Sequence, residues 1–334
     1  MPDPIVTVVV PTLARGDALE KCLNSLELQT LDLFDVVVVD NSGTGRARAF
    51  GSRTRVIVNQ RNEGFAGAVN QGIRDSHAVY VATLNDDTIA DRRWLETLIA
   101  CAESNPQAGM FACEVRLMGT LLLDSAGMLI AADGSSKQRG HEQPAADFTE
   151  TRTALFPSAS AALYRRSMLD HIGLFDENFF LYCEDTDLGL RARWAGWDCC
   201  YVPGAVVEHF YSHSAGRATP LKAYYIERNR LYTVLKNFPA RLLWRVPFAS
   251  AVRYVWHLIA ILAGQGKGAE FRQSGHSAAL LPFLVLRAYA ATLGRLPYLL
   301  AERRRIQKSR RITSNEFLGV IEKNSISLRW VAWL

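Results

Sequence analysis

Short β-branched runs alternate with helical periodicity up to about Pro239, after which long apolar stretches broken by arginine take over. Ile5 to Val10 and Val36 to Val39 leave no room for a wet face, which predicts strands buried on both sides, as in a parallel sheet. Between them Leu19, Cys22, Leu23 and Leu26 recur at helical spacing over Asp17 to Leu28, completing a βαβ unit. Arg55 to Val58, Val79 to Leu84 and Gly109 to Cys113 add strands, with helices expected in the stretch opening at Asn59 to Gly72 and over Asp91 to Cys101. Leu117 to Gly140 reads as hairpin and then loop, Leu155 to Tyr164 as a return to the core, and Arg165 to Ile172 as a short helix. Cys199 to Val202 and Ala205 to Val207 read as two further short strands, and Lys222 to Lys236 as a helix ended by Pro239.

Polar residues collect where the predicted strands end: Pro11-Thr12, Asp40-Asn41-Ser42-Gly43 and Asn85-Asp86-Asp87-Thr88. In open α/β sheets the carboxyl ends of the strands are where ligands bind. Small residues at Gly64, Ala66, Gly67 and Ala68 suit either close approach of an anionic ligand to a helix start or tight packing of helix on sheet. Asp86 and Asp87 repel each other; a divalent cation relieves that, and a turn before a helix is the simpler alternative. His209, closing Glu208-His209, is either a metal ligand or a structural imidazole; His213-Ser214 follows it.

The stretch from Gly173 to Trp197, GLFDENFFLYCEDTDLGLRARWAGW, concentrates the chemistry. A helix is expected over Asp185 to Ala195, with Leu188, Ala192 and Ala195 on one face and Gly196 at its end. Aromatic residues lead into Glu184 and Asp185, and desolvation there would raise a carboxyl pKa toward that of a general base. Ordinary helix chemistry accounts for the same charges: acids complement the helix N-terminus, and Asp187 with Arg191 is an i, i+4 pair.

Composition narrows the class. The chain has 334 residues, 49% of them hydrophobic, enough for a large core but not the makeup of a multi-span membrane protein. Net charge is +5, and much of the basic excess crowds into Arg303, Arg304, Arg305, Lys308, Arg310 and Arg311. Beside apolar helices that cluster points to an anionic membrane surface and not to nucleic acid. The six cysteines form no C-x-x-C pair and no leader-like segment opens the chain, so a reducing, cytoplasmic setting is expected. Leu242 to Ala263 and Ser277 to Ala301 are strongly apolar, but Arg253, His257, Arg287 and Arg295 interrupt them. In-plane helices with snorkelling arginines on the inner face of the membrane are expected, against packing within the enzyme or in a homo-oligomer.

In order along the chain come VTVVVPT, VVVVDNSG, RNEGFAGAVNQG, LNDDT, the Gly173 to Trp197 stretch, YVPGAVVEHF and YYIERNRLYTVLKNFP. Together they resemble the family 2 inverting glycosyltransferases of the GT-A fold, particularly the rhamnosyltransferase-like branch of cell-surface polysaccharide enzymes. The resemblance runs over about residues 5 to 238. It implies an α/β GT-A fold, Rossmann-like with a mostly parallel sheet flanked by helices, over residues 1–238, and an amphipathic helical extension over 239–334. It also implies a nucleoside-diphosphate sugar, dTDP-rhamnose first among candidates, a lipid-linked or glycan acceptor, and Mg²⁺ or Mn²⁺. Carried over by position, Pro11, Thr12, Asp40, Asn62, Gly64, Phe65, Asn70 and Asp86 would form the donor site. Asp87 and His209 would hold the metal, and Asp185 would be the base with Glu184 in support. The family's usual metal motif begins with an acid where this chain has Asn85. A nucleotidyltransferase is disfavoured by the lack of a phosphate loop in PTLARGD, and a dinucleotide oxidoreductase by the missing G-x-G-x-x-G. Retention of Asp87, Glu184, Asp185 and His209 argues against an inactive glycan-binding scaffold.

Overall fold

The computed structural model describes residues 3–47, 51–210 and 218–333, and the chain divides into two compact units that it enters and leaves several times. The first comprises residues 1–128, 138–181 and 197–214, the second residues 129–137, 182–196 and 215–334.

The first unit is built on one sheet. Its strands are β1 Val6–Thr12, β2 Phe34–Asp40, β3 Thr54–Val58, β4 Tyr80–Leu84, β5 Thr88–Ala90, β6 Ala108–Leu117 and β7 Leu123–Ser125. After a small hairpin of β8 Met128–Ile130 and β9 Ser136–Gln138 come β10 Arg152–Thr153, β11 Ala161–Arg165 and β12 Asp198–His209. The order across the sheet is β10-β12-β6-β11-β4-β1-β2-β3, with β5 on β12 and β7 on β6. Parallel pairing of β1 with both β2 and β4 buries Val6, Val8, Val9 and Val10, which is why the run reads without alternation. Helices α1 Ala18–Glu27, α2 Gly64–Arg74, α3 Trp94–Ser104 and α4 Arg166–Ile172 belong to the same unit. Chain order reverses between β1 and β4, creating the switch point at which the ends of β1, β2 and β4 gather. The two strands expected at Cys199 to Val202 and Ala205 to Val207 are one strand, β12. Its register on β6 shifts between Val202 and Val206, so Pro203-Gly204 bulges without ending the pairing.

The second unit is helical: α5 Glu184–Trp194, α6 Pro220–Asn237, α7 Ala240–Leu243, α8 Val246–Leu262, α9 Gly266–Gln273, α10 Leu280–Gly294, α11 Leu296–Ser309, α12 Ser314–Lys323 and α13 Leu328–Trp333. Prolines in the first turns of α8 and α11 restart the helix, so each long apolar stretch seen in the sequence is divided. The boundary expected between residues 238 and 239 falls inside this unit. The reason is packing: the Arg303 guanidinium donates to the carbonyls of Leu235 (3.0 Å) and Phe238 (2.7 Å), and Phe317 stacks on Trp194 at 3.9 Å. Arg253 does not snorkel. It is buried, donating to Asp133 at 2.5 Å and Glu227 at 2.6 Å, while Arg287 lies over the Tyr224 ring at 4.5 Å. Among the described residues no single helix is long and apolar enough to cross a membrane; α8 and α9 together pass that test only as a pair bent by 51°.

Candidate active site

Thr12 ends β1, and its hydroxyl donates to Asp86 Oδ2 at 2.5 Å, tying the end of β1 to the turn after β4. Pro11 precedes it within β1. Asp40, at the end of β2, is fully buried; its two oxygens accept from the amides of Ser42 and Ala47, each at 2.9 Å. Burial alone would raise its pKa, but the hydrogen bonds from Ser42, Ala47 and Arg46 prevail and hold it below the usual carboxylate value. Asp40 thus orders the loop following β2. Asn41 bridges that loop to Asn62 (2.9 Å), and the Asn62 carboxamide oxygen accepts from the Gly64 amide at 2.8 Å, so β2 fixes the start of α2.

The residues expected around the donor from α2 meet the aromatic segment. The Phe65 amide donates to the Phe180 carbonyl at 2.6 Å, and the Phe65 ring meets Phe175 edge-on at 6.4 Å. Asn70, also buried, holds the main chain of Phe175 from both sides, donating at 2.8 Å and accepting at 3.1 Å. Gly64 has φ +77°, and a Cβ there would lie 2.3 Å from the Phe180 carbonyl oxygen. Gly64, Phe65 and Asn70 therefore seat the run that leads into the acidic motif, so whatever α2 does for the donor, it also shapes that run.

Asp87 and His209 come together because β5 pairs with the end of β12, Thr88 opposite His209. His209 Nε2 lies 3.3 Å from Asp87 Oδ1, and Nδ1 lies 2.8 Å from Asp124 Oδ2. Burial would lower the His209 pKa; the two carboxylates outweigh it and push it up to about 9, while Asp124, similarly opposed by burial, is held near 2 by its histidine partners. Two cis ligands of an octahedral ion at 2.0–2.1 Å stand about 3 Å apart, close to the separation found between Asp87 and His209. The carboxylate suits Mn²⁺ or Mg²⁺, whereas the imidazole suits Mn²⁺ better than the harder Mg²⁺; the remaining positions would go to diphosphate oxygens and water. No group of three or more candidate metal-ligating side chains occurs among the described residues, so Asp87 and His209 could supply only part of an ion's ligands. His213 lies outside the described residues.

In the second unit, α5 begins one turn after the chain leaves the first between Leu181 and Tyr182. Phe180, Tyr182 and Cys183 all have positive φ, an uncommon run for side-chain-bearing residues. The Tyr182 carbonyl accepts from Asn229 Nδ2 at 2.7 Å, tying this turn to α6. Glu184 is buried, its Oε2 without a hydrogen-bond partner; burial and the Asp185 charge push its pKa up to about 8. Asp185 is the less buried of the two. Asp185 Oδ1 accepts from the Thr186 amide at 2.6 Å, and the Thr186 hydroxyl lies 3.0 Å from that of Ser136. The third acid has another role: Asp187, fully buried, pairs with Arg191 at 2.8 Å, Lys236 at 2.9 Å and Asn237 at 2.8 Å.

The Glycosyl transferase family 2 model matches residues 7–173. The chain belongs to this family. It is 30% identical over 240 residues to the N-acetylglucosaminyl-diphospho-decaprenol L-rhamnosyltransferase of Mycobacterium tuberculosis, covering 64% of this chain and 78% of that one. The galactofuranosyltransferase GlfT1 of the same organism is 28% identical over 257 residues, 69% of this chain and 82% of that one. Among solved structures, GalNAc-T7 with UDP, GalNAc and Mn²⁺ superposes with a TM-score of 0.59 at 13% identity over 75% of this chain and 51% of that one.

This family 2 glycosyltransferase thus has the GT-A fold. Its first unit gathers Thr12, Asp40, Asp86, Asp87 and His209 around strand ends, and its second carries Glu184 and Asp185 on α5. Asp124 and its neighbour His141, 3.3 Å away, escaped the sequence reading because they lie in the unpatterned stretch after β6. The available signal was an acid between the apolar Leu123 and the tight turn Ser125-Ala126-Gly127.

Proposed function

We propose that the enzyme transfers L-rhamnose from dTDP-rhamnose, with inversion, to a lipid-linked diphosphate or nascent glycan acceptor in cell-surface polysaccharide synthesis. The observation that carries this reading is the similarity to the mycobacterial rhamnosyltransferase, extending over most of that protein's length. An inverting transfer needs a base on the acceptor hydroxyl and compensation for the charge of the departing nucleoside diphosphate. Asp185 serves as the base, and Glu184, whose pKa is raised by burial and by the Asp185 charge, stands in support beside it. Asp87 and His209 hold Mg²⁺ or Mn²⁺, which when bound neutralises the diphosphate; the Mn²⁺ in the GalNAc-T7 complex supports a divalent ion. Thr12, Asp40 and Asp86 shape the nucleoside side of the site, Asp40 through the loop that it orders.

Galactofuranose is the second reading, favoured by the similarity to GlfT1. The acceptor is met at the inner face of the cell membrane, where the enzyme sits peripherally. Trp244, Phe248, Val252, Val255, Ile259 and Leu262 recur at helical spacing and are exposed along α7 to α8, and Phe283, Leu286 and Leu293 along α10. Arg304, Arg310 and Arg311 are exposed as well and would meet anionic headgroups. The deciding experiment is transfer from a panel of nucleotide sugars, with Mg²⁺ or Mn²⁺, to a polyprenyl-diphosphate-linked sugar. Rhamnose transfer that falls by two to four orders of magnitude in Asp185→Asn is the expected result. Transfer of galactofuranose alone selects the second reading, and an Asp185→Asn variant retaining more than about a third of wild-type turnover moves the base elsewhere.

A further inference from the structure

The imidazole of His209 has two faces, and the proposed metal reading uses only one. Nε2 is directed at Asp87 Oδ1, 3.3 Å away. Nδ1 is held at 2.8 Å by Asp124 Oδ2, from β7, a strand that nothing in the family motifs singles out. Asp124 is itself fixed. β7 pairs with β6, the Leu123 amide donates to Gln143 at 2.8 Å and the Glu142 amide donates to Leu123 at 2.8 Å, so the acid sits on paired backbone on both sides. Its other oxygen lies 3.3 Å from His141 Nδ1, and that same nitrogen lies 3.1 Å from the Asp124 carbonyl. Asp124 and His209 are buried and the His141 side chain is nearly so, so water does not compete for the hydrogen bond between His209 and Asp124; the 3.3 Å approach of His141 to the other Asp124 oxygen is a contact and not a hydrogen bond.

Imidazole binds a cation through the nitrogen that carries no proton, and a hydrogen bond at the opposite nitrogen decides which one that is. A carboxylate accepting from Nδ1–H leaves the Nε2 lone pair facing the ion and stops the ring from turning. We propose that Asp124 is the positioning residue of the metal site: it fixes the ring and tautomer of His209 so that Nε2 faces the ion beside Asp87, with His141 steadying Asp124 from behind. This rests on the reading of Asp87 and His209 as metal ligands. Removal of such a partner lowers metal affinity by roughly 10- to 100-fold.

The test uses the full-length protein with Mn²⁺ and dTDP, following free Mn²⁺ by electron paramagnetic resonance, alongside dTDP binding in excess chelator. Asp124→Ala should weaken Mn²⁺ binding by about 10- to 100-fold, and Asp124→Asn by less, because the carboxamide can still accept from Nδ1–H. Binding of dTDP without metal should be unchanged in both. If Asp124→Ala does not fold, the smaller loss in Asp124→Asn decides. An equal loss of metal-free dTDP binding would reveal a merely structural residue and overturn the proposal. Wild-type Mn²⁺ affinity in both variants would overturn it while leaving the metal reading intact. Failure of the wild-type protein to bind Mn²⁺ would overturn both.

Discussion

Asp187→Asn separates the structural acid of the motif from Asp185, the proposed base. The carboxylate is fully buried and shared by Arg191 and Lys236, which are themselves 3% and 0% exposed, so neither cation has bulk water to fall back on. The carboxamide preserves volume but removes the charge that both cations face. Breaking a buried ion pair on one side costs about 3–5 kcal/mol, and sharing between two cations places this site in the upper part of that range. The effect should be local to α5 and α6, which is best read by hydrogen exchange of their amides, since a chain with two compact units need not unfold in one step. A loss of about 4 kcal/mol corresponds to exchange faster by on the order of a thousandfold when opening is sub-global. Asp185→Asn should leave the same amides within about twofold of wild type while turnover falls. Protection in α5 and α6 that survives Asp187→Asn would refute the claim that this carboxylate holds the helices together.

Glu184 predicts a pH dependence. Its folded pKa is raised, so its contribution to stability is fully present below the unfolded value of 4.5 and is lost as pH rises through about 8. Glu184→Gln should flatten the decline in urea midpoint between pH 4.5 and about pH 8; a decline as steep as that of wild type would place its cause elsewhere. Gly64→Ala should destabilise the protein and displace the Phe175 to Phe180 segment, because the new methyl group meets the Phe180 carbonyl at 2.3 Å; an unchanged melting temperature would refute that contact. Binding to anionic liposomes should fall when Phe248 and Leu262 become Ser, and separately when Arg304, Arg310 and Arg311 become Gln; Arg303 is left alone because it caps α6. Sedimentation unaffected by both sets would remove the membrane from the proposal.

The sheet was legible because β1 and β2 are buried on both faces and their residues say so without help from the rest of the chain. The strand ends were legible too, as polar clusters following apolar runs. What pattern could not supply was pairing at a distance. Arg253 looked like a snorkelling interruption of an apolar helix, whereas its partner Asp133 lies 120 residues earlier in a stretch without periodicity. Asp124 was invisible for the same reason, its meaning resting on His209 across 85 residues. Helix α5 was expected to have one buried face, yet Asp187, Arg191 and Arg193 are buried along with Leu188 and Ala192. A polar residue buried in a paired state carries the same letter as one in water, so periodicity undercounts such burial.

The stacking of Trp194 on Phe317 sets a schedule for the protein's birth. Synthesis runs from the N-terminus at about 5–20 residues per second, and domains tend to fold as their residues emerge. Every strand of the large sheet precedes residue 210, so the sheet can form early. The acid-bearing helix cannot follow at once: Phe317 must stack on its Trp194, and the Arg311 amide must reach the Trp194 carbonyl at 2.8 Å. Until residue 317 has been made, helix α5 lacks the ring that stacks on its Trp194.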